Sequence, residues 1–353
     1  MKNIFVISYK EMSNIVYHKL HLGHLENFKI HFIVFQGCVS KLYKGDYKNL
    51  KLRNIIFYKT KSIKKIKKLV KVKKPNFIIC YFIEEIERKY LNLYYFLNTL
   101  SVPKIKILEP NFVDRKEFLI RKLKNFFFIK KFIYDYGVFE SKSTESHFYY
   151  HKFKNKIYYA NNNYFNFINE NKKKNKEKIV FLDENLIFHP DINITKLKKI
   201  ISKKKYYSTL KIFFRFLQKK MKKKIYIANH PTTKKNYFVK FKNMTNKTNN
   251  LVANASLVIM HQSSAIDFAI LNKKKILFTY FEDMKNSQIK NNIFRFAKFF
   301  KSNPVNLSLN LDFLNISRSI VNPSSLYDKF INLYIKHPKY NGENLAKKFT
   351  KLT

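Results

Sequence analysis

The chain has no tryptophan, five glycines, eight prolines and two cysteines among its 353 residues. So little glycine and proline excludes a collagen-like chain and argues against a turn-dense all-β protein, whose tight hairpins need residues that tolerate positive φ. Two cysteines, Cys38 and Cys80, cannot build a disulfide framework. Both stand near the ends of apolar strand-like runs and read as buried, reduced thiols in a reducing compartment. Acidic residues are scarce as well, 23 Asp and Glu against 71 Lys and Arg, which leaves a formal net charge of +48. No uncharged apolar run approaches the roughly 18 residues of a membrane-spanning helix. The apolar start at 4–7 is only a strand long and gives way to Ser8, Tyr9 and Lys10, so no signal peptide is read there and a cytoplasmic protein is expected.

What is present is apolar enough to fold: 46% of the residues are hydrophobic, and the length suffices for two domains with their own cores. The excess of lysine raises a nucleic-acid partner as one class of function. Against it, the lysines are dispersed in short groups (64–65, 172–174, 203–205, 222–224, 273–275), several of which merely flank strands. The chain is also saturated with Lys, Ile, Asn, Phe and Tyr, all served by AT-rich codons, so much of the charge records genome composition. A solvated surface accounts for most of it. No specific nucleic acid is expected, and an anionic membrane surface is the partner that the remaining charge fits.

Along the chain, short runs rich in Ile, Val and Phe alternate with helix-length segments. Strands are expected at 4–8, 30–35, 55–58, 76–81, 105–108 and 134–139, with a helix and its following turn over 13–26 and helices near 63–72 and 114–131. This rhythm is that of a parallel α/β sheet. Residues 161–178 (NNNYFNFINENKKKNKEK) are polar and aperiodic and mark a boundary. After it come strands at 179–182, 225–228, 257–260 and 276–280, a long helix over 195–221 interrupted near 203–205, and a helical tail from 324. The expected organisation is an acceptor-side domain at 1–165, a linker at 166–178, a nucleotide-sugar-binding domain at 179–323 and a tail at 324–353. Two tandem Rossmann-like domains would face each other across a cleft, with ligands at the carboxyl ends of the strands.

Three strands of the second half end in polar clusters: Asp183-Glu184-Asn185, His230-Pro231-Thr232-Thr233 and His261-Gln262-Ser263-Ser264. In a parallel sheet they share one edge. Ser263 and Ser264 stand where a helix begins and an anion is favoured, and His230 can donate to a phosphate oxygen. Asp183 would be repelled by phosphate and belongs nearer the reacting carbon, as general base, nucleophile or stabiliser of oxocarbenium charge. In the first half, Glu109 ends a strand and is a further acid–base candidate. His18, His21 and His24 fan around a helix with no ligand set completed by Cys or carboxylate, so no metal site is read there. A Walker lysine, a Gly-rich phosphate loop and a GxSxG elbow are all missing.

The ordered set Asp183-Glu184, His230-Pro231, Ser263-Ser264 resembles the motifs of bacterial GT-B glycosyltransferases that use CMP-activated acid sugars: the sialyltransferases, polysialyltransferases and Kdo transferases of capsule, lipooligosaccharide and O-antigen assembly. The resemblance covers mainly 179–280. It implies metal-independent transfer of an acidic sugar from a CMP-sugar donor to a glycan or glycolipid acceptor, with no other cofactor. In it His230, Pro231, Thr232, His261, Ser263 and Ser264 would hold the donor phosphate, and Asp183 and Glu184 would form the acidic motif. FLDENLIFHPD (181–191) also resembles a motif of surface-carbohydrate proteins and adds His189, Pro190 and Asp191. The chain departs from these patterns in having no glycine after Glu184 and a histidine where polyol-phosphate transferases carry Asp-Tyr before Ser-Ser. GT-B relatives using a UDP-sugar or a CDP-polyol are the alternatives within the class.

Overall fold

The computed structural model describes residues 2–8, 11–12, 16–17, 20–35, 53–81, 91–108, 133–144, 152–153, 157–160, 178–188, 201–230, 233, 235–245, 247–284, 287–340 and 345–350. Two compact units emerge, one of Met1–Asn163 with Asn332–Thr353 and one of Tyr164–Ile331.

The strands of the first unit are β1 (Lys2–Ser8), β2 (Phe28–Phe35), β3 (Ile55–Thr60), β4 (Phe77–Tyr81), β5 (Lys104–Leu108), β6 (Ile133–Tyr134), β7 (Tyr136–Phe139), β8 (Lys152–Phe153) and β9 (Ile157–Tyr159). Seven of them form one parallel sheet in the order β3-β2-β1-β4-β5-β7-β9, and β6 pairs separately with β8. The second unit contributes β10 (Lys178–Leu182), β11 (Lys224–Asn229), β12 (Lys242–Thr245), β13 (Ala255–Met260), β14 (Lys275–Tyr280) and β15 (Val305–Asn306), again parallel, in the order β12-β11-β10-β13-β14-β15. Each sheet starts at its middle, adds two strands to one side and then crosses to the other. That is the doubly wound, Rossmann-like order, and it puts a crevice at the carboxyl ends where the order reverses: between β1 and β4, and between β10 and β13.

Central strands such as β4 (FIICY) and β10 (KIVFL) are buried almost throughout, as strands covered on both faces must be. Cys80 is one of these buried residues; Cys38 lies outside the described residues. The helix Lys203–Met221 begins where the sequence suggested an interruption, because Ser202 caps it by accepting the Lys205 N–H. It buries Tyr206, Tyr207, Leu210, Phe213, Phe214 and Leu217, one stripe at helical spacing.

Within the span expected for the first helix and its following turn, His21 sits at φ 52° and residues 22–24 form a 3-10 turn. Two expectations need correction. The run 134–139 is not one strand, since Asp135 turns its carboxylate onto the Lys104 backbone N–H and ammonium, 2.8 and 3.2 Å away, and separates β6 from β7. The tail from 324 is divided. The helix Ser325–Phe330 stays with the second unit, whereas Leu345 and Phe349 of the last helix enter the core of the first, Phe349 packing against Phe77 and edge-on to Tyr158.

Candidate functional site

β10, β11 and β13 are neighbours, so the three polar clusters do leave the sheet on one edge. Asp183-Glu184 and His261-Gln262 flank the point where the strand order reverses. Glu184 ties them together: its Oε1 accepts the backbone N–H of His261 and that of Gln262, each at 2.8 Å. Two N–H groups converging on one oxygen make an anion nest, the feature expected to receive a phosphate. The chain's own carboxyl fills it. Burial pushes the Glu184 carboxyl up to about 8, against the opposing pull of those N–H bonds. Glu184 therefore braces the crevice, joining the end of β10 to the loop after β13.

His261 is engaged in the same way, and its side chain has no exposure. Nδ1 lies 2.8 Å from the Thr279 carbonyl oxygen, an acceptor only, so the ring proton is on Nδ1 and Nε2 accepts the Tyr206 hydroxyl at 3.2 Å. Thr279 Oγ1 stands 3.0 Å from Nδ1 and donates to the Met260 carbonyl. Rings of Phe181, Tyr206 and Phe281 surround the imidazole. Burial lowers its pKa to about 4, which keeps it neutral at ordinary pH. The histidine supports the turn 261–264 from beneath. Tyr206→Phe would leave Nε2 a buried acceptor without a donor, at an expected cost of about 1–3 kcal/mol. The midpoint of denaturant unfolding measures it, and an unchanged midpoint would show that the hydroxyl contributes nothing.

Asp183 is buried but lies beside the loop that follows β11. Its Oδ1 accepts the Asn185 N–H at 3.0 Å, and Thr233 Oγ1 donates to Oδ2 across 3.4 Å. Burial raises its carboxyl to about 6, although both bonds act to lower it. Asn185 takes φ 50°, a left-handed conformation that Asn tolerates well, and the Phe188 N–H closes the turn on the Asn185 carbonyl at 2.9 Å. His230 is partly buried, and its carbonyl accepts the Thr233 N–H at 2.9 Å, which helps to hold Thr233 beside Asp183.

At the tip of the third cluster, Ser263 Oγ accepts the Ala265 N–H and its carbonyl accepts the Ile266 N–H, which closes the turn leading into the six-residue helix Ile266–Leu271, whose N-cap is Ala265. Ser264 is exposed. Gln262 Oε1 accepts from Asn292 at 3.0 Å and fastens the loop to the helix Gln288–Phe299. Glu109, Pro231, Thr232, His189, Pro190 and Asp191 lie outside the described residues, as does His18.

Sequence reasoning named Thr233 only as the end of the His230 cluster, without a role, and passed over Tyr206 and Thr279. Thr279 had a signal, a lone polar residue inside the apolar run KILFTY; Tyr206 had none. In the first unit His21 is neither surface nor ligand. Its Nε2 meets Glu140 Oε1 at 2.9 Å, and both are buried at the carboxyl end of β7. Among the described residues no three His, Cys, Asp or Glu side chains gather as a metal site requires.

No protein-family model matches the chain, and no curated protein matches it in sequence. Among solved structures it is similar to the Staphylococcus aureus MnaA–UDP co-structure, at 13% identity over 99% of this chain and 95% of that one, with a TM-score of 0.52. A UDP-GlcNAc 2-epimerase of Methanocaldococcus jannaschii matches over 100% and 99% of the two chains at 11% identity and a TM-score of 0.49, and a kitacinnamycin glycotransferase over 99% and 98% at 6% identity and 0.49. The fold is α/β, two Rossmann-like domains of the GT-B type.

Proposed function

We propose that the chain is an enzyme of nucleotide-sugar chemistry, a GT-B-type glycosyltransferase whose donor binds at the carboxyl edge of the second unit. The observation that carries this is the meeting of three strand ends: Asp183 after β10, the Thr233 turn after β11 and the loop 261–264 after β13, the first and last locked by Glu184. Ser264 and the exposed side of that loop supply polar groups for the departing phosphates. Asp183, nearly buried yet able to ionise near neutral pH, supplies the general base for an acceptor hydroxyl.

A uridine diphosphate donor is favoured, because the MnaA structure of similar fold holds UDP. A neutral sugar is favoured too, since the carboxylate of an acid sugar beside Asp183 would meet a like charge away from solvent. The motif resemblance to CMP-sugar enzymes makes the opposite expectation, and a thermal-shift series with UDP, CMP and CDP separates them. UDP at millimolar concentration is expected to raise the melting temperature by several degrees, since a ligand bound only by the folded state stabilises it by mass action. A rise with CMP alone would transfer the donor to the CMP-sugars, and no rise with any of the three would remove the nucleotide-sugar assignment. The acceptor in this scheme is a glycan or glycolipid at the cytoplasmic face of an anionic membrane. The helix Ile63–Lys73, which buries only Ile66 and Val70 and turns its lysines outward, suits that surface. No helix among the described residues is long and apolar enough to cross a membrane.

A further inference from the structure

Beside Asp183 three aromatic rings lie in a ladder that starts in the buried stripe of the helix Lys203–Met221 and ends on an exposed ring. Tyr237 is its middle rung. Tyr207 stacks on it with centroids 4.4 Å apart and planes at 22°, and Phe188 with centroids 5.5 Å apart and planes at 17°. The rungs come from three elements: the turn after β10, the loop after β11, and the first turn of the helix Lys203–Met221. The inner end, Tyr207, is 6% exposed and adjoins Tyr206, which holds His261. The outer end, Phe188, is 47% exposed although the turn of Asn185 fixes its backbone. Lys203 Nζ stands over the rings of Tyr237 and Phe188, 4.7 and 5.7 Å from their centres.

We propose that this ladder is a pyranose-binding platform, with the C–H face of a sugar ring lying against Phe188 and Lys203 donating to the oxygens at its edge. The proposal rests on the glycosyl-transfer assignment for placing a sugar next to Asp183. Its physical basis is the match of surfaces. A pyranose offers an apolar C–H patch on one face and hydroxyls around its rim, and here a flat, exposed ring is bordered by an ammonium. An exposed phenylalanine held rigid by a turn and backed by two stacked tyrosines is pre-oriented, so little conformational entropy is lost on binding. Asp183 lies at the other end of the same turn, within reach of a hydroxyl on that sugar.

The sugar could belong to the donor or to the acceptor, and calorimetric titration of the full chain with UDP, UDP-GlcNAc and tri-N-acetylchitotriose distinguishes them. Phe188→Ala is expected to weaken a sugar-bearing probe about tenfold while changing UDP less than twofold, and Phe188→Tyr to restore it. Loss on UDP-GlcNAc assigns the platform to the donor sugar; loss on the trisaccharide alone assigns it to the acceptor. Equal weakening of UDP and UDP-GlcNAc would make the ladder a nucleobase stack and overturn the proposal. Sugar binding that ignores Phe188, or no binding of either sugar probe by the wild type, would overturn it too. A Phe188-dependent trisaccharide with no nucleotide response would instead remove the nucleotide-sugar assignment and leave the platform standing.

Discussion

Glu184→Ala is expected to destabilise the second unit by about 3 kcal/mol, whereas Glu184→Gln should change it by less than about 1 kcal/mol. The difference lies in what each leaves behind. Alanine strands the buried N–H of His261 and the part-buried N–H of Gln262, and an unpaired buried donor costs about 1–3 kcal/mol. Glutamine still offers a carbonyl oxygen in the same place. The pH dependence of unfolding supplies a second readout. The folded-state value of about 8 lies above the 4.5 of an ordinary glutamate, so between those limits the folded chain holds a proton that the unfolded chain has lost. That contribution to stability is fully present below the unfolded value and fades as pH rises through the folded one. Asp183 adds a contribution of the same sign between 3.8 and about 6. Wild type should therefore lose stability relative to Glu184→Gln as pH rises from 5 to 8. The opposite slope would show that the two N–H bonds hold Glu184 ionised.

Glu184 also shows where sequence legibility stops. Its strand was plain, because a run such as KIVFL between polar segments has few alternatives to a buried parallel strand. The edge was plain as well: once the strands are parallel, Asp183, His230 and Ser263 must leave on one side. What no local pattern encodes is which polar group meets which. Glu184 finds its partners 77 and 78 residues away, and the same Asp-Glu pair read in isolation looks like two equivalent acids. The fold separates them, one facing the nest and the other the Thr233 turn. His261 looked like a ligand for the same reason: a histidine at a strand end is ambiguous until the rings of Phe181, Tyr206 and Phe281 close around it. At the other end of the chain, Leu345 and Phe349 join the first unit's core through contacts that a hydrophobic period cannot announce.

In the proposed reaction Asp183 is the general base, with Glu184 and His261 engaged in holding the loop, and on that proposal Asp183→Asn is expected to lower turnover by about two to four orders of magnitude, the usual range for a positioned base. Asparagine keeps an oxygen that can accept the Asn185 N–H, so the turn that carries Phe188 should survive and donor binding should hold. Wild-type kcat should fall below about pH 6 as Asp183 takes up a proton, and the residual rate of the variant should lack that limb. Thr233 sharpens the test. Its hydroxyl stabilises the charged form of Asp183, so Thr233→Val should move the acid limb to higher pH while leaving the plateau nearly unchanged. A limb that stays in place in Thr233→Val, together with full turnover in Asp183→Asn, would reduce Asp183 to the residue that closes the Asn185 turn and send the base to another element of the chain.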